Sequence, residues 1–305
     1  MTLFTVYVLL DAFVIPREYV KAETKERAVT ASGETSASVS PDTEDAQSAA
    51  TLPETEAETA PQAPIVTENS YEDENIKINI TTKRISDADV YIADVVLSSP
   101  LYLNTAFAKG VYGKNVKEPT SDIADEVGAI LAVNGDFYGA RDTGFVMRGG
   151  VIYRDVAEKG TEALIISEDG KFSFADEDST DIYTLEENGA YDVLTFGPAL
   201  VIDGKIYSGD SKRRSAKANP RTAIGYIDEN HYVFVVVDGR TDESEGLSLG
   251  ELAAVMKSLG CVDAYNLDGG GSATMYFNGR IVNTPTFNGD DIEERKVSDI
   301  VYIGY

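Results

Sequence analysis

Three consecutive glycines, Gly269, Gly270 and Gly271, constrain this chain more than any other feature. Neither a helix interior nor a strand interior favours such a run, because each glycine loses more backbone freedom on ordering than any other residue. Its use is close approach: successive backbone N–H groups with no Cβ in the way can converge on an anion or on sugar oxygens. The apolar stretch Val262 to Leu267 reads as a buried strand that stops at a carboxylate, Asp268, just before the glycines. Ser272 and Thr274 place hydroxyls directly after them. A sharp strand-to-strand turn is the plain alternative.

Two further apolar runs end in the same way. Ala129 to Val133 leads into Asn134-Gly135-Asp136, and Tyr232 to Val237 into Asp238-Gly239-Arg240. Each is a short strand-like run closed by a turn signal that carries an aspartate. Asp-Gly and Asn-Gly are ordinary turn dipeptides taken singly. Three of them at strand ends predict a shared rim if the strands lie in one sheet with one polarity, and ligand sites commonly form at such rims.

Polarity is predicted for two of the three. Ser248 and Glu251 form a capping box, Leu252, Val255, Met256 and Leu259 share one helix face, and Gly260 closes the helix. A strand–helix–strand unit of this length predicts parallel neighbours, with Asp238 and Asp268 on the same edge. Short strand-like runs fill the chain from Ile76 to Ile303. The expected fold is therefore α+β: a single strand-rich domain built on a mixed β-sheet with few helices.

Composition sets the domain limits. Residues 22–70, rich in Thr, Glu, Ala, Ser and Pro, cannot bury enough apolar surface to offset chain entropy, which predicts a disordered tether. Residues 71–305 form the expected domain. Residues 1–21 hold an apolar run, Leu3 to Ile15, too short for a comfortable membrane span. Apolar start, polar tether and globular domain together are the layout of an exported or membrane-anchored surface protein.

The net charge of −26 argues against nucleic acid as a partner, since phosphate backbones are held by Lys and Arg. A lone cysteine, Cys261, permits no intramolecular disulfide and fits a small buried position. The single histidine, His231, lies in a hairpin turn away from the aspartate ends, which argues against Ser-His-Asp chemistry. The basic run Lys212-Arg213-Arg214 reads as a solvated loop.

Four segments, Asn134-Gly135-Asp136-Phe137, Arg221-Thr222-Ala223, Asp238-Gly239-Arg240 and Leu267 to Ser272, occur in this order. Together they resemble the phosphodiester glycosidase family over Ile130 to Tyr305. The resemblance implies cleavage of the glycosidic C–O bond of a sugar 1-phosphodiester, of the N-acetylglucosamine-1-phosphodiester kind. Such a bond needs a carboxylate to activate water or stabilise charge at the anomeric carbon. Asp136, Asp238 and Asp268 are the candidates, unranked, with Arg221 beside them. Arg221 and Arg240 are candidates for gripping phosphate, because a planar guanidinium bonds two oxygens at once. Asn134, Thr222, Gly269, Gly270, Gly271, Ser272 and Thr274 are candidate substrate contacts. Converging oxygen ligands would also suit Ca²⁺ or Mg²⁺, with Asp136 and Asp268 as ligands. That gives a second reading, a metal-dependent phosphodiesterase, and a surface carbohydrate-binding module is the third. An exopolysaccharide, a teichoic-type polymer or a glycolipid fragment would each fit as natural substrate.

Overall fold

The computed structural model describes residues 15–27, 63–207 and 217–305. Its centre is the His231–Val237 strand, whose side chains are buried on both faces. Tyr232, Phe234 and Val236 point into the main core, while Val233, Val235 and Val237 point into a second cluster on the other side. Burial on both faces is why this segment is an unbroken apolar run rather than an alternating one. Around it lies a nine-stranded sheet in which Asp263–Leu267, Arg221–Asp228, His231–Val237, Ala88–Leu97 and Ile76–Ile85 are successive neighbours.

A five-stranded sheet packs against it, with Leu131–Asn134 between Met275–Phe277 and Asp299–Ile303. A second five-stranded sheet carries Val146–Arg148, Ala190–Thr195 and Glu162–Ser167 as its three central strands. Side chains from all three sheets meet in the main core, among them Ile78, Val133, Leu164, Met275 and Val301. The Leu249–Ser258 helix covers the other face of the large sheet and buries Leu252, Val255 and Met256 against Val233, Val235 and Ala264. Its capping box forms as the sequence predicts: Ser248 Oγ accepts from the Glu251 N–H at 3.2 Å, and the Ser248 N–H donates to Glu251 Oε2 at 2.9 Å.

The strand-rich α+β expectation holds, with three α-helices among the described residues. Two details differ. Every strand pairing among the described residues is antiparallel, where a mixed sheet was expected. His231–Val237 and Asp263–Leu267 do run the same way, but Arg221–Asp228 lies between them and pairs with both. The helical crossover thus skips one position, and the gap is filled by the hairpin partner that precedes it in sequence. The strand ending before Asp136 belongs to a different sheet from the other two, so the three aspartates do not share one sheet edge.

The N-terminal boundaries also differ. Arg17–Lys21, placed by composition in the apolar segment, pairs with Val111–Lys114. Ile65–Val66, placed in the tether, and Ser70–Glu72, which straddles its expected end, add two strands to the edge of the large sheet. Arg27 is 7% exposed; its guanidinium donates to the carbonyls of Pro100, Leu103 and Ser167 and stacks on Tyr191 with 4.1 Å from Cζ to the ring centroid. Most of the apolar run Leu3 to Ile15, the bulk of the tether, and Lys212-Arg213-Arg214 lie outside the described residues. Among the described residues no helix is long and apolar enough to cross a membrane.

Leu252 is fully buried between the helix and the large sheet. Leu252→Ala is expected to lower unfolding stability by about 2–5 kcal/mol, read from urea denaturation midpoints. A change below about 1 kcal/mol would show that the helix does not complete the core.

Candidate active site

The candidate site forms where the Leu131–Asn134 and Asp263–Leu267 strands end side by side. Asn134 joins them. Its Nδ2 donates to the Asp268 carbonyl at 2.6 Å, and its Oδ1 accepts from Thr222 Oγ1 at 2.7 Å and from the Thr274 N–H at 3.3 Å. The Asp268 N–H reaches the Gly135 carbonyl at 3.1 Å. Asn134, Thr222 and Thr274 are all fully buried. These three candidate substrate contacts therefore lie beneath the rim, as the framework that joins two sheets.

Asp268 stands at the surface of this framework, with its side chain 11% exposed. Oδ1 accepts from the Gly269 N–H at 2.9 Å. Oδ2 accepts from Ser272 Oγ at 2.6 Å and from Arg295 Nη2 at 3.2 Å. Burial pushes the Asp268 carboxyl above the ordinary aspartate range, and the Ser272 hydroxyl and Arg295 pull it back. The glycine loop is there for close approach. A Cβ at Gly269 would come within 2.6 Å of the Pro220 carbonyl oxygen. Gly270 has φ +62°, and a Cβ there would meet Arg240 Nη2 at 2.7 Å.

Cations surround the loop. Arg295 donates to Ser272 Oγ at 2.9 Å and to the Gly269 carbonyl at 3.1 Å. Arg240 lies against Gly270 and is fixed by the Phe287 carbonyl at 2.7 Å. Arg221 begins the strand beside Leu267 and donates to the carbonyls of Leu247 and Lys217 at 3.0 and 2.9 Å. Burial, and then the like charge of Arg240, hold Arg221 below the usual guanidinium value. Arg141 faces Asp268 electrostatically while donating to the Thr195 carbonyl at 3.2 Å. Lys117 faces Asp268 and Arg295 in the same way. In a chain with 52 acidic and 26 basic residues, so many cations around one largely buried carboxylate make a local positive field.

The other two aspartates sit differently. Asp136 is fully buried, and its carboxylate points inward to Arg148 Nη2 at 2.9 Å and accepts from the Thr195 and Tyr138 N–H groups at 2.8 and 3.0 Å. Asp299 shares the same guanidinium at 2.7 Å. Asp238 accepts from Asn283 Nδ2 at 2.8 Å and from the Thr284 N–H at 2.9 Å, and burial raises its carboxyl. It ends its strand at the same edge as Asp268, two strands and so about 10 Å away. His231, at the far end of that strand, pairs with Asp94 at 2.8 Å. Among the described residues no three His, Cys, Asp or Glu side chains gather in a metal-holding group. The candidate Ca²⁺ or Mg²⁺ ligands Asp136 and Asp268 are each bonded to an arginine instead.

Sequence reasoning missed Lys117, Arg141 and Arg295. Arg295 lies in a polar segment more than twenty positions beyond the glycines, and no local spacing marks it. The fold brings it in by a backbone hydrogen bond, Arg295 N–H to the Gly271 carbonyl at 3.2 Å.

Strand ends from two antiparallel sheets, meeting at a carboxylate ringed by cations, define a site suited to an anion. Residues 127–304 match the phosphodiester glycosidase family, and the chain belongs to that family. An uncharacterised SPbeta prophage-derived protein of Bacillus subtilis, YomE, is 30% identical over 210 residues, which is 64% of this chain and 31% of that protein. The bovine N-acetylglucosamine-1-phosphodiester alpha-N-acetylglucosaminidase is 31% identical over 134 residues, 38% of this chain and 25% of that enzyme. The chain thus spans about a third or less of these relatives' length. The catalytic domain of the zebrafish enzyme of the same name, auto-inhibited by its pro-peptide, superposes with a TM-score of 0.61 at 21% identity, over 75% of this chain and 83% of that one.

Burial, and then the neighbouring Asp136, raise the Asp299 carboxyl above its ordinary value. The folded protein therefore binds this proton more tightly than the unfolded chain does. The resulting stabilisation is complete below about pH 4, where an unfolded aspartate titrates, and is lost as pH rises towards neutrality. Asp299→Asn is expected to remove this slope. Urea titrations across that range giving parallel profiles for the two proteins would contradict the assignment.

Proposed function

We propose that the protein hydrolyses the glycosidic C–O bond of a sugar 1-phosphodiester, releasing the sugar and a phosphomonoester. The observation that carries this reading is Asp268, a largely buried carboxylate held by Ser272 and Arg295 at the head of a glycine loop lined with cations. In this reading Asp268 activates water or steadies positive charge at the anomeric carbon. Water adds its oxygen to that carbon, the bond pair leaves with the phosphate oxygen, and the water proton passes to the carboxylate. Arg295, Arg240 and Arg221 hold the phosphate, whose own acidity removes the need for a strong general acid. Family membership supports the bond type, and the names of the bovine and zebrafish relatives favour N-acetylglucosamine as the sugar. The same proposal places the protein outside the cytoplasm, on the strength of its apolar N-terminal run and polar tether, and fractionation of expressing cells tests that.

Incubation with an N-acetylglucosamine-1-phosphodiester is expected to yield free sugar and phosphomonoester. Release of sugar 1-phosphate, abolished by chelator, would assign a metal-dependent phosphodiesterase instead. Binding without turnover, unaffected by Asp268→Asn, would assign a carbohydrate-binding module.

Asp268→Asn is expected to lower kcat by about 10²- to 10⁴-fold with the fold intact by circular dichroism. Because burial raises this carboxyl, the acid limb of kcat/KM is expected above the ordinary aspartate range of about pH 4. A limb at or below that value would remove Asp268 from the role of base.

A further inference from the structure

Lys117 stands beside this site, facing the Asp268 carboxylate without bonding to it. Its backbone is held on both sides: the Asn115 N–H donates to the Gly139 carbonyl at 2.8 Å, and Glu118 and Val297 exchange N–H to carbonyl bonds at 3.0 and 2.7 Å. Val116, next to it, is buried, so the segment cannot swing away. The ammonium lies 5.5 Å from the centroid of the Phe137 ring, and the Arg295 guanidinium lies over the same ring at 5.9 Å. Phe137 is presented there by a left-handed backbone, φ 66°, which a bulky residue adopts only when its surroundings hold it.

Among the described residues the Lys117 ammonium makes no hydrogen bond or ion pair. Lys25, Lys77, Lys114 and Lys171 each have a carboxylate partner. A half-buried ammonium next to a like charge is a liability for the fold: burial and then Arg295 lower its proton affinity, and the Asp268 carboxylate offsets them only in part. Cation–π contact with one ring offsets this only in part. What would satisfy it is an anion arriving with the ligand.

We propose that Lys117 binds the leaving phosphate, taking up the negative charge that appears on the bridging oxygen as the C–O bond breaks. This inference rests on the hydrolase reading above. The phosphodiester enters with one negative charge, and the phosphomonoester leaves with up to two, its second proton being lost near about pH 6. The bond pair that was shared with the anomeric carbon becomes that second charge, while water supplies the new oxygen on the sugar. Arg295 is tied to Asp268 and Ser272, and Arg240 to Phe287. Among the described residues Lys117 makes no such bond, and it shares the Phe137 ring with Arg295. A donor aimed at charge that develops during the reaction lowers the barrier more than it strengthens substrate binding.

The test uses the full chain with methyl phosphate as the probe for binding and an N-acetylglucosamine-1-phosphodiester for turnover. Lys117→Met is expected to weaken methyl phosphate binding by about tenfold or more in calorimetry and to lower kcat more than it raises KM. Lys117→Arg keeps the charge and is expected to retain most of the binding. A structural lysine would lose stability on replacement, whereas Lys117→Met is expected to melt at the same temperature or higher. Unchanged methyl phosphate affinity in Lys117→Met overturns the inference, even if the wild type turns over the diester and the hydrolase reading stands. Weakened affinity in a protein that hydrolyses no diester would keep Lys117 as an anion-binding residue and overturn the reaction instead.

Discussion

The side-chain amide of Asn134 is the interaction on which the site depends. It is fully buried, and it spends both ends on joining two sheets that share no strand pairing: one end on the Asp268 carbonyl, the other on Thr222 and Thr274. A residue with only donors or only acceptors could not serve, because the partners are a carbonyl on one side and an N–H and a hydroxyl on the other. A hydrocarbon of similar size would leave several buried polar groups unpaired, each at the cost of its desolvation. This amide, together with the Asp268 N–H bond to the Gly135 carbonyl, sets the position of Asp268 relative to the neighbouring sheet.

Above the amide, carboxylates divide by their surroundings rather than by their motifs. Asp136 and Asp268 both follow an apolar run and precede glycine or an aromatic turn, and they look equivalent in sequence. The chain after Asp136 turns its carboxylate inward, where Arg148 serves it and Asp299 together. Two acids on one guanidinium in a dry interior hold their elements in place, since leaving either partner alone there is expensive. Asp268 keeps a solvent-facing edge, and its partner Arg295 is itself partly exposed at the rim. Charge paired with the interior shapes the scaffold; charge paired at the rim remains available to a ligand.

Strand content was legible because the chain's apolar runs are short, β-branched and closed by turn residues. The long helix was legible because its capping box and apolar face coincide. The wrong inference, parallel neighbours, came from assuming that a helical crossover lands on the adjacent position. Nothing in the spacing of Asp238 and Asp268 reports that Arg221–Asp228 has already taken that place. The glycine loop announced itself through three residues that have no other good use. Lys117 and Arg295 gave no such sign, because their role is set by tertiary meeting: Glu118 bridges Val297, and Arg295 bonds the loop that Asp268 begins. Asn134, Thr222 and Thr274 were found for their polarity but assigned to the ligand, since sequence does not reveal which side of a strand end faces water.

The strand Arg17–Lys21 and the arginine that follows it have a consequence for where the folded body begins. Arg27 fills a closed polar socket between Pro100, Leu103, Ser167 and Tyr191, and its guanidinium lies 4.0 Å from the buried carboxylate of Asp192. A chain shortened to start near residue 63 would keep every residue of the rim. It would also leave Asp192 sealed inside without that cation, and the socket open to water. The core of this protein is therefore completed by a side chain that lies in sequence before the Thr- and Glu-rich stretch.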